Sequence, residues 1–247
     1  MTSHFVLITG GNRGLGQGLV RRFLEQANNA VIAAVRDPAH ATSRSLADLP
    51  KGEGSSLIVV KYDAAVEQDA FRLAEELRQK HEVDHLDVVV ANAGIANAHP
   101  LVKDVKREEV QEHVNVNTYG VVSLYQATRD LLRRSTGEPM FVPVGSDAGS
   151  LGGQPPVPNA AYGASKGMLN WYGVRINAED EWLNTFILVP GFTQTEMGNK
   201  GARTFGLNEA PVGVEECVNG MYRVITTATK EKYGGRMVRY TGEIRPW

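Results

Sequence analysis

A single cysteine, Cys217, stands among the 247 residues. No intrachain disulfide can form, and a reducing compartment is expected. No Asn-x-Ser/Thr sequon occurs. Basic residues are not in excess: 26 Lys and Arg face 28 Asp and Glu, and the net charge of −2 argues against a nucleic-acid partner. No apolar run approaches the length of a transmembrane helix, so membrane insertion is not expected. The apolar stretch Phe5-Val6-Leu7-Ile8 begins almost at the first residue and leaves no room for a signal peptide. A cytoplasmic protein is therefore expected. Linkers, tandem repeats and low-complexity tracts are also missing, which with 42% hydrophobic residues points to one domain spanning 1–247.

What is present is alternation. Short β-branched runs at Phe5–Thr9, Ala30–Val35, Ser56–Tyr62, Leu86–Ala91, Met140–Gly145, Thr185–Val189 and Arg236–Tyr240 read as strands. Amphipathic stretches near Gly14–Ala27, Val66–Lys80, Val110–Arg133, Ala160–Glu179 and Val214–Thr229 read as helices. The strands are nearly continuous in apolar residues, as in a parallel sheet covered on both faces. The pattern predicts an α/β, doubly wound sheet of about seven parallel strands.

The first strand ends in Thr9-Gly10-Gly11-Asn12-Arg13-Gly14-Leu15-Gly16. Glycines at 10, 14 and 16 permit a tight turn, backbone approach to a pyrophosphate and close helix–strand packing. The helix behind them would aim its N-terminal N–H groups at phosphate. Strand two closes on Val35, followed by Arg36 and Asp37. Arg36 with Arg13 suits a 2′-phosphate and favours NADPH over NAD. The other reading makes both arginines solvated charges and puts Asp37 on an NAD ribose.

Other segments carry weaker signals. His81-Glu82-Val83-Asp84-His85 matches the His-Glu-x-x-His zinc pattern. A strand begins at once after His85, so the two imidazoles cannot share a helix, and no metal is expected. Ala91-Asn92-Ala93-Gly94 places small residues at a strand's carboxyl end, where open α/β sheets receive ligands. Asn115-Val116-Asn117 interrupts a helical stretch with amides that need partners, and a distortion there would free a main-chain carbonyl. Gly145-Ser146-Asp147-Ala148-Gly149 lacks the Gly-x-Ser-x-Gly spacing of a nucleophile elbow, so Ser146 reads as a hydroxyl donor. The long connection from Pro190 to about Gly213 suggests a lid or binding loop.

Tyr162 and Lys166, four residues apart, would share one face of a helix. An ammonium near a phenol lowers the phenol's pKa and makes a proton donor. Gly163 and Gly167 each cost that helix about 1 kcal/mol, so close packing or function must override propensity there.

In their order and spacing these motifs resemble the short-chain dehydrogenase/reductase family over essentially the whole chain, which implies a Rossmann-type domain. The closest patterns are the C-factor and sniffer-type carbonyl reductases, whose ending resembles Tyr240–Trp247, and fungal polyketide ketoreductases of the norsolorinic-acid-reductase type. The resemblance implies a catalytic set of Asn117, Ser146, Tyr162 and Lys166. It implies cofactor contacts from Gly10, Asn12, Arg13, Gly14, Leu15, Gly16, Arg36, Asp63, Asn92, Ala93, Gly94, Tyr162, Lys166, Pro190, Gly191, Thr193 and Thr195. Hydride would pass from NADPH to a carbonyl carbon while Tyr162 protonates the oxygen. Lys166 would hold the nicotinamide ribose, Ser146 the substrate oxygen, and Asn117 a relay water. Two positions depart from the family: Ala91, where a second asparagine is frequent, and Asp147, where small or apolar residues are common. Leu151, Pro155, Pro156, Val157, Phe192, Met197 and Phe205 in the roofing loops suit either a bulky hydrophobic small-molecule ketone or aldehyde, or loop and oligomer packing. A homodimer or homotetramer through the long helices, with Gly163, Ala164 and Gly167 allowing close helix approach, is the family's pattern. The rival readings are a non-catalytic NADP-binding scaffold or redox sensor, and an alcohol dehydrogenase working in oxidation.

Overall fold

Buried β-branched strands and the helices between them build the protein in strict succession. The computed structural model describes residues 4–247. In chain order they form β1 (His4–Thr9), α1 (Gly14–Leu24), β2 (Asn29–Val35), α2 (Ala41–Arg44), β3 (Ser56–Lys61), α3 (Glu67–Lys80) and β4 (Val88–Ala91). Then come α4 (Arg107–Val114), α5 (Gly120–Arg133), β5 (Met140–Pro143), α6 (Ala160–Glu179), β6 (Asn184–Thr185) and β7 (Ile187–Val189). α7 (Glu196–Thr204), α8 (Val214–Thr226), α9 (Lys230–Tyr233), β8 (Met237–Arg239) and β9 (Ile244–Arg245) complete the chain.

The central sheet is parallel throughout, in the order β3-β2-β1-β4-β5-β6. Alternation along β1 sends Val6 and Ile8 to one face and Leu7 to the other. Val6 and Ile8 pack with Leu19, Val20 and Phe23 of α1 and with Met221 and Val224 of α8. Leu7 packs with Leu73 and Leu77 of α3, Leu124 of α5 and Leu169 of α6. Both faces are thus covered, as the apolar strands require.

The expected seven-stranded sheet needs correction. Six strands form the central sheet, and the predicted strand Thr185–Val189 is split at Phe186. β6 pairs with β5, whereas β7 pairs with β8 in a second sheet that also holds an antiparallel strand, β9. The split has a chemical cause. Gly145 N–H donates to the Leu188 carbonyl at 2.9 Å, and two residues earlier the ladder would need a donor at Pro143, which has none. The Val144–Leu188 bridge still holds β7 beside β5, so the two sheets are consecutive stretches of one layer.

α4 begins at Arg107, three residues before the predicted helix Val110–Arg133. A π-helical turn, Asn115–Tyr119, separates it from α5, as the amide interruption suggested. The long connection after β7 contains α7, which sequence reading left as loop. α3 ends at Lys80, His81 sits beyond it, and His85 Nδ1 meets Asp84 at 2.6 Å; the two histidines share no helix.

Phe186 is fully buried, tilted against Tyr233 at 5.8 Å between ring centroids. Truncating it to alanine should cost about 3–5 kcal/mol in denaturant unfolding. A loss below about 1 kcal/mol would show that the strand break is not packed as described.

Candidate active site

The order of strands reverses between β1 and β4, and the loops leaving these strands open a crevice at their carboxyl ends. The two loops are tied together: Asn92 Nδ2 donates to the Thr9 carbonyl at 2.9 Å, and Ala93 N–H to Thr9 Oγ1 at 2.9 Å. Gly10 and Gly14 take φ of +65° and +54°, in the left-handed region that glycine enters freely. A Cβ on Gly16 would stand 2.7 Å from Asn92 Nδ2, so only glycine lets the helix start so close to the strand. Arg13, extended at the N-cap of α1, gives no side-chain cap, and the first-turn N–H groups are left for another acceptor. Asn12 Nδ2 donates to Thr42 Oγ1 at 2.7 Å, and Leu15 packs against the core.

Arg36 is exposed and makes no ion pair among the described residues. Arg13 reaches Glu196 at 2.8 Å across the mouth of the crevice, a solvent-exposed pair of small energetic weight. Asp37 Oδ1 accepts from Ala39 N–H at 2.8 Å, and its carbonyl accepts from Ser43 Oγ, so Asp37 is committed to its own turn. Asp63 Oδ1 likewise accepts from Ala65 N–H at 3.0 Å. Uncapped N–H groups and an unpaired guanidinium suit an anionic dinucleotide carrying a further phosphate. Gly191, at φ +74°, turns the chain after β7, and Thr193 Oγ1 donates to the Pro190 carbonyl at 3.2 Å. Thr195 caps α7 by accepting from Gly198 N–H at 3.0 Å.

Ser146, Tyr162 and Lys166 are brought together by close packing of α6 on the 3-10 turn Asp147–Gly149. A Cβ on Gly149 would stand 2.5 Å from the Lys166 carbonyl carbon, and one on Gly163 would stand 2.8 Å from the Ala148 carbonyl oxygen. Gly163 and Gly167 therefore admit the serine turn of the same chain. Ser146 Oγ accepts from Ala148 N–H at 3.2 Å, fixing the turn. Burial pushes the Tyr162 phenol up, and its hydrogen bond with Ser146 pulls it down. Lys166 is 5% exposed; its Nζ donates to the Val144 carbonyl at 2.7 Å and lies 5.9 Å from the centre of the Tyr162 ring. Burial lowers its pKa to about 8.

Asn117, in the π turn, is fully buried. Its Nδ2 donates to the Ile95 carbonyl and to Ser165 Oγ, both at 3.0 Å, and its Oδ1 accepts from Ile95 N–H at 2.8 Å. Asn117 thus joins the loop after β4 to α6. A Cβ on Gly94 would sit 3.1 Å from Asn117 Oδ1 and 3.7 Å from Lys166 Nζ, so Gly94 keeps the gap between them open.

Asp147 has a structural answer that sequence alone withheld. Arg245 Nε donates to its Oδ1 at 3.2 Å, and Arg239 lies at 3.6 Å from its Oδ2. Ser150 Oγ donates to the Pro246 carbonyl and Gly152 N–H to the Trp247 carbonyl. The C-terminal hairpin is therefore clasped to the turn that carries Ser146. Of the roofing residues, Phe192 and Phe205 come within 6.3 Å of each other, whereas Leu151 is 85% exposed.

A lysine whose pKa falls from 10.5 to about 8 on folding binds more protons when unfolded, so it weakens the fold fully below pH 8 and less as pH rises. Wild type should therefore gain stability relative to Lys166→Met between pH 8 and pH 9.5, by up to about 2 kcal/mol. Parallel pH profiles of the two proteins in chemical unfolding would contradict this account of Lys166.

The family described as short chain dehydrogenase matches residues 4–204. A norsolorinic acid ketoreductase of Dothistroma septosporum is 42% identical over 98% of this chain and 91% of its own. The norsolorinic acid ketoreductase of Aspergillus parasiticus is 38% identical, over 98% and 90%. An NADPH-bound carbonyl reductase from chicken fatty liver superposes with a TM-score of 0.86 at 24% identity, covering all of both chains. The Drosophila melanogaster carbonyl reductase Sniffer does so at 0.85 and 22%, also over both whole chains; at these identities the likeness shows the Rossmann-type fold. Sequence match, fold and site together place the chain in the short-chain dehydrogenase/reductase family.

Proposed function

We propose that this chain is an NADPH-dependent ketoreductase that reduces a bulky, hydrophobic aromatic ketone of the norsolorinic acid kind. The observation that carries the reading is the convergence of Asn117, Ser146, Tyr162 and Lys166 beside the β1–β4 crevice; binding a dinucleotide alone requires no such set. Names of the relatives support the substrate class.

NADPH, when bound, supplies the hydride. The glycine turn at 10, 14 and 16, with Asn12 and Leu15, and the N-terminus of α1 receive the pyrophosphate. Arg36 and Arg13 meet the 2′-phosphate, Asp63 the adenine side, and Asn92, Ala93 and Gly94 form the floor. Pro190, Gly191, Thr193 and Thr195 border the nicotinamide. Arg13 would exchange Glu196 for phosphate, at little cost because the present pair is exposed.

The chemistry of the protein is proton management. A phenol held above its usual pKa by burial is protonated at neutral pH, the form in which Tyr162 can donate to the reduced carbonyl oxygen. Ser146 holds that oxygen beside the phenol. Lys166, protonated for the most part at pH 7, steadies the tyrosinate that forms and grips the ribose hydroxyls. The gap beside Gly94, between Asn117 and Lys166, accepts a water that returns a proton to Lys166 from solvent. Oxidation of the corresponding alcohol would use the same groups in reverse.

Tyr162→Phe should abolish reduction of norsolorinic acid while leaving NADPH affinity within about twofold of wild type. Substantial residual turnover would remove Tyr162 from its role. Tight NADPH binding by wild type, with no ketone turned over, would favour the scaffold reading. Arg36→Ala should lower the preference for NADPH over NADH about tenfold or more in kcat/KM. An unchanged preference would return Arg36 to the solvated surface.

A further inference from the structure

The C-terminal hairpin borders the site at two places. Arg239, the last residue of β8, reaches the turn that carries Ser146 through Asp147. Tyr240, the next residue, donates its N–H to the Val189 carbonyl at 2.8 Å, just before the segment assigned to the nicotinamide. Its ring packs on that segment: a Cβ on Gly191 would stand 3.5 Å from Tyr240 Cε1. One short stretch of chain therefore spans from the serine turn to Pro190 and Gly191.

What the hairpin holds at the serine end is a charge. The Asp147 side chain is only 23% exposed, and among the described residues its carboxylate meets two guanidiniums and no other partner. Arg245 Nε donates to Oδ1 at 3.2 Å, and Arg239 lies 3.6 Å from Oδ2. Glu243 closes the set from the other side, accepting from Arg245 at 2.9 Å with Arg239 at 4.0 Å. Two arginines thus alternate with two carboxylates in a closed, net-neutral ring. A single exposed ion pair fixes little, whereas a partly buried network with directed hydrogen bonds holds a geometry.

The ring grips the serine turn where α6 does not. At its far end the turn is fixed by Asn170, whose Nδ2 donates to the Gly149 carbonyl at 3.1 Å. Within the turn, Gly149 N–H donates to the Ser146 carbonyl at 3.0 Å and Ser150 N–H to the Asp147 carbonyl at 3.1 Å. A shift at Asp147 is therefore passed to Ser146. Holding a substrate oxygen beside the Tyr162 phenol tolerates an error of only about half an ångström. An unpaired carboxylate next to Ser146 would also oppose the negative charge that develops on that oxygen.

We propose that Arg245, with Arg239, is a positioning residue for the reaction: it neutralises Asp147 and through it fixes Ser146 relative to the nicotinamide segment. Neither arginine acts on the substrate itself. The proposal rests on the ketoreductase reading and goes beyond it by bringing the C-terminal hairpin into the reaction.

The test follows norsolorinic acid reduction by the full chain in wild type, Arg245→Gln, Arg245→Lys, Asp147→Asn and the double variant Arg245→Gln/Asp147→Asn. Arg245→Gln should lower the single-turnover rate of NADPH oxidation about tenfold. The Kd for NADPH, read by fluorescence titration, should stay within about twofold of wild type, a split that a merely structural residue would not produce. Arg245→Lys, which keeps the charge, should recover part of the rate. Asp147→Asn leaves no unpaired carboxylate and should lose less than Arg245→Gln. The double variant should lose no more than Arg245→Gln alone, because the two residues act as one unit. An unaltered rate in Arg245→Gln, additive losses in the double variant, or a fall in NADPH affinity matching the fall in rate overturns the proposal. So does failure of Arg245→Gln to fold, since the ring would then hold the hairpin and not the serine. If wild type turns over no ketone, the ketoreductase reading fails and takes this proposal with it; turnover by wild type with the rate intact in Arg245→Gln sinks the positioning role alone.

Discussion

The site depends on one close approach, between α6 and the turn that follows β5. Gly149 lies against the backbone of Lys166 and Gly167, and Gly163 against the carbonyl of Ala148. A methyl group at Gly149 or Gly163 would force the two segments apart, and Ser146 would leave the Tyr162 phenol. Gly163 and Gly167 in the interior of α6 together cost about 2 kcal/mol in propensity. That cost is offset by burying a helix against a strand-end turn, and it is where local preference yields to function.

The electrostatics of the site follow from this packing. Enclosure raises the phenol and lowers the ammonium, driving apart two pKa values that lie close together in the free side chains, with no direct ion pair between them among the described residues. Sequence reading assigned the lowering of Tyr162 to Lys166. In the folded chain burial dominates and Ser146 opposes it, while Lys166 is anchored to the Val144 carbonyl. Asn117 serves as a joint, holding Ile95 with both ends of its amide and Ser165 Oγ with the nitrogen. The π turn aims that amide inward, because one extra residue in the turn rotates the side chain relative to α4.

Much of this was legible along the chain because it rests on local rules. Strand–helix alternation, the glycine spacing at 10, 14 and 16, the Tyr162–Lys166 spacing and the polar interruption at Asn115–Asn117 are short-range patterns with short-range physics. The parts that escaped depend on distant partners. α7 was hidden by Gly198 and Gly201, poor helix residues, of which Gly198 must be small because the Thr193 carbonyl presses on it. The break at Phe186 follows from Pro143, some forty positions earlier in sequence and on the adjacent strand. Asp147 could be flagged as unusual but not explained, since its partners Arg239 and Arg245 come from the far end of the chain.

By itself the sequence determined the α/β class, the polar residues available at the strand ends and the glycine turn after β1, because periodicity and motif spacing are properties of neighbouring residues. Only the tertiary structure decided which face of α6 meets the serine turn and which acidic groups are spent on their own loops. Those outcomes are sums of packing and desolvation over segments that meet only when the sheet is wound, and no stretch of the chain contains them alone.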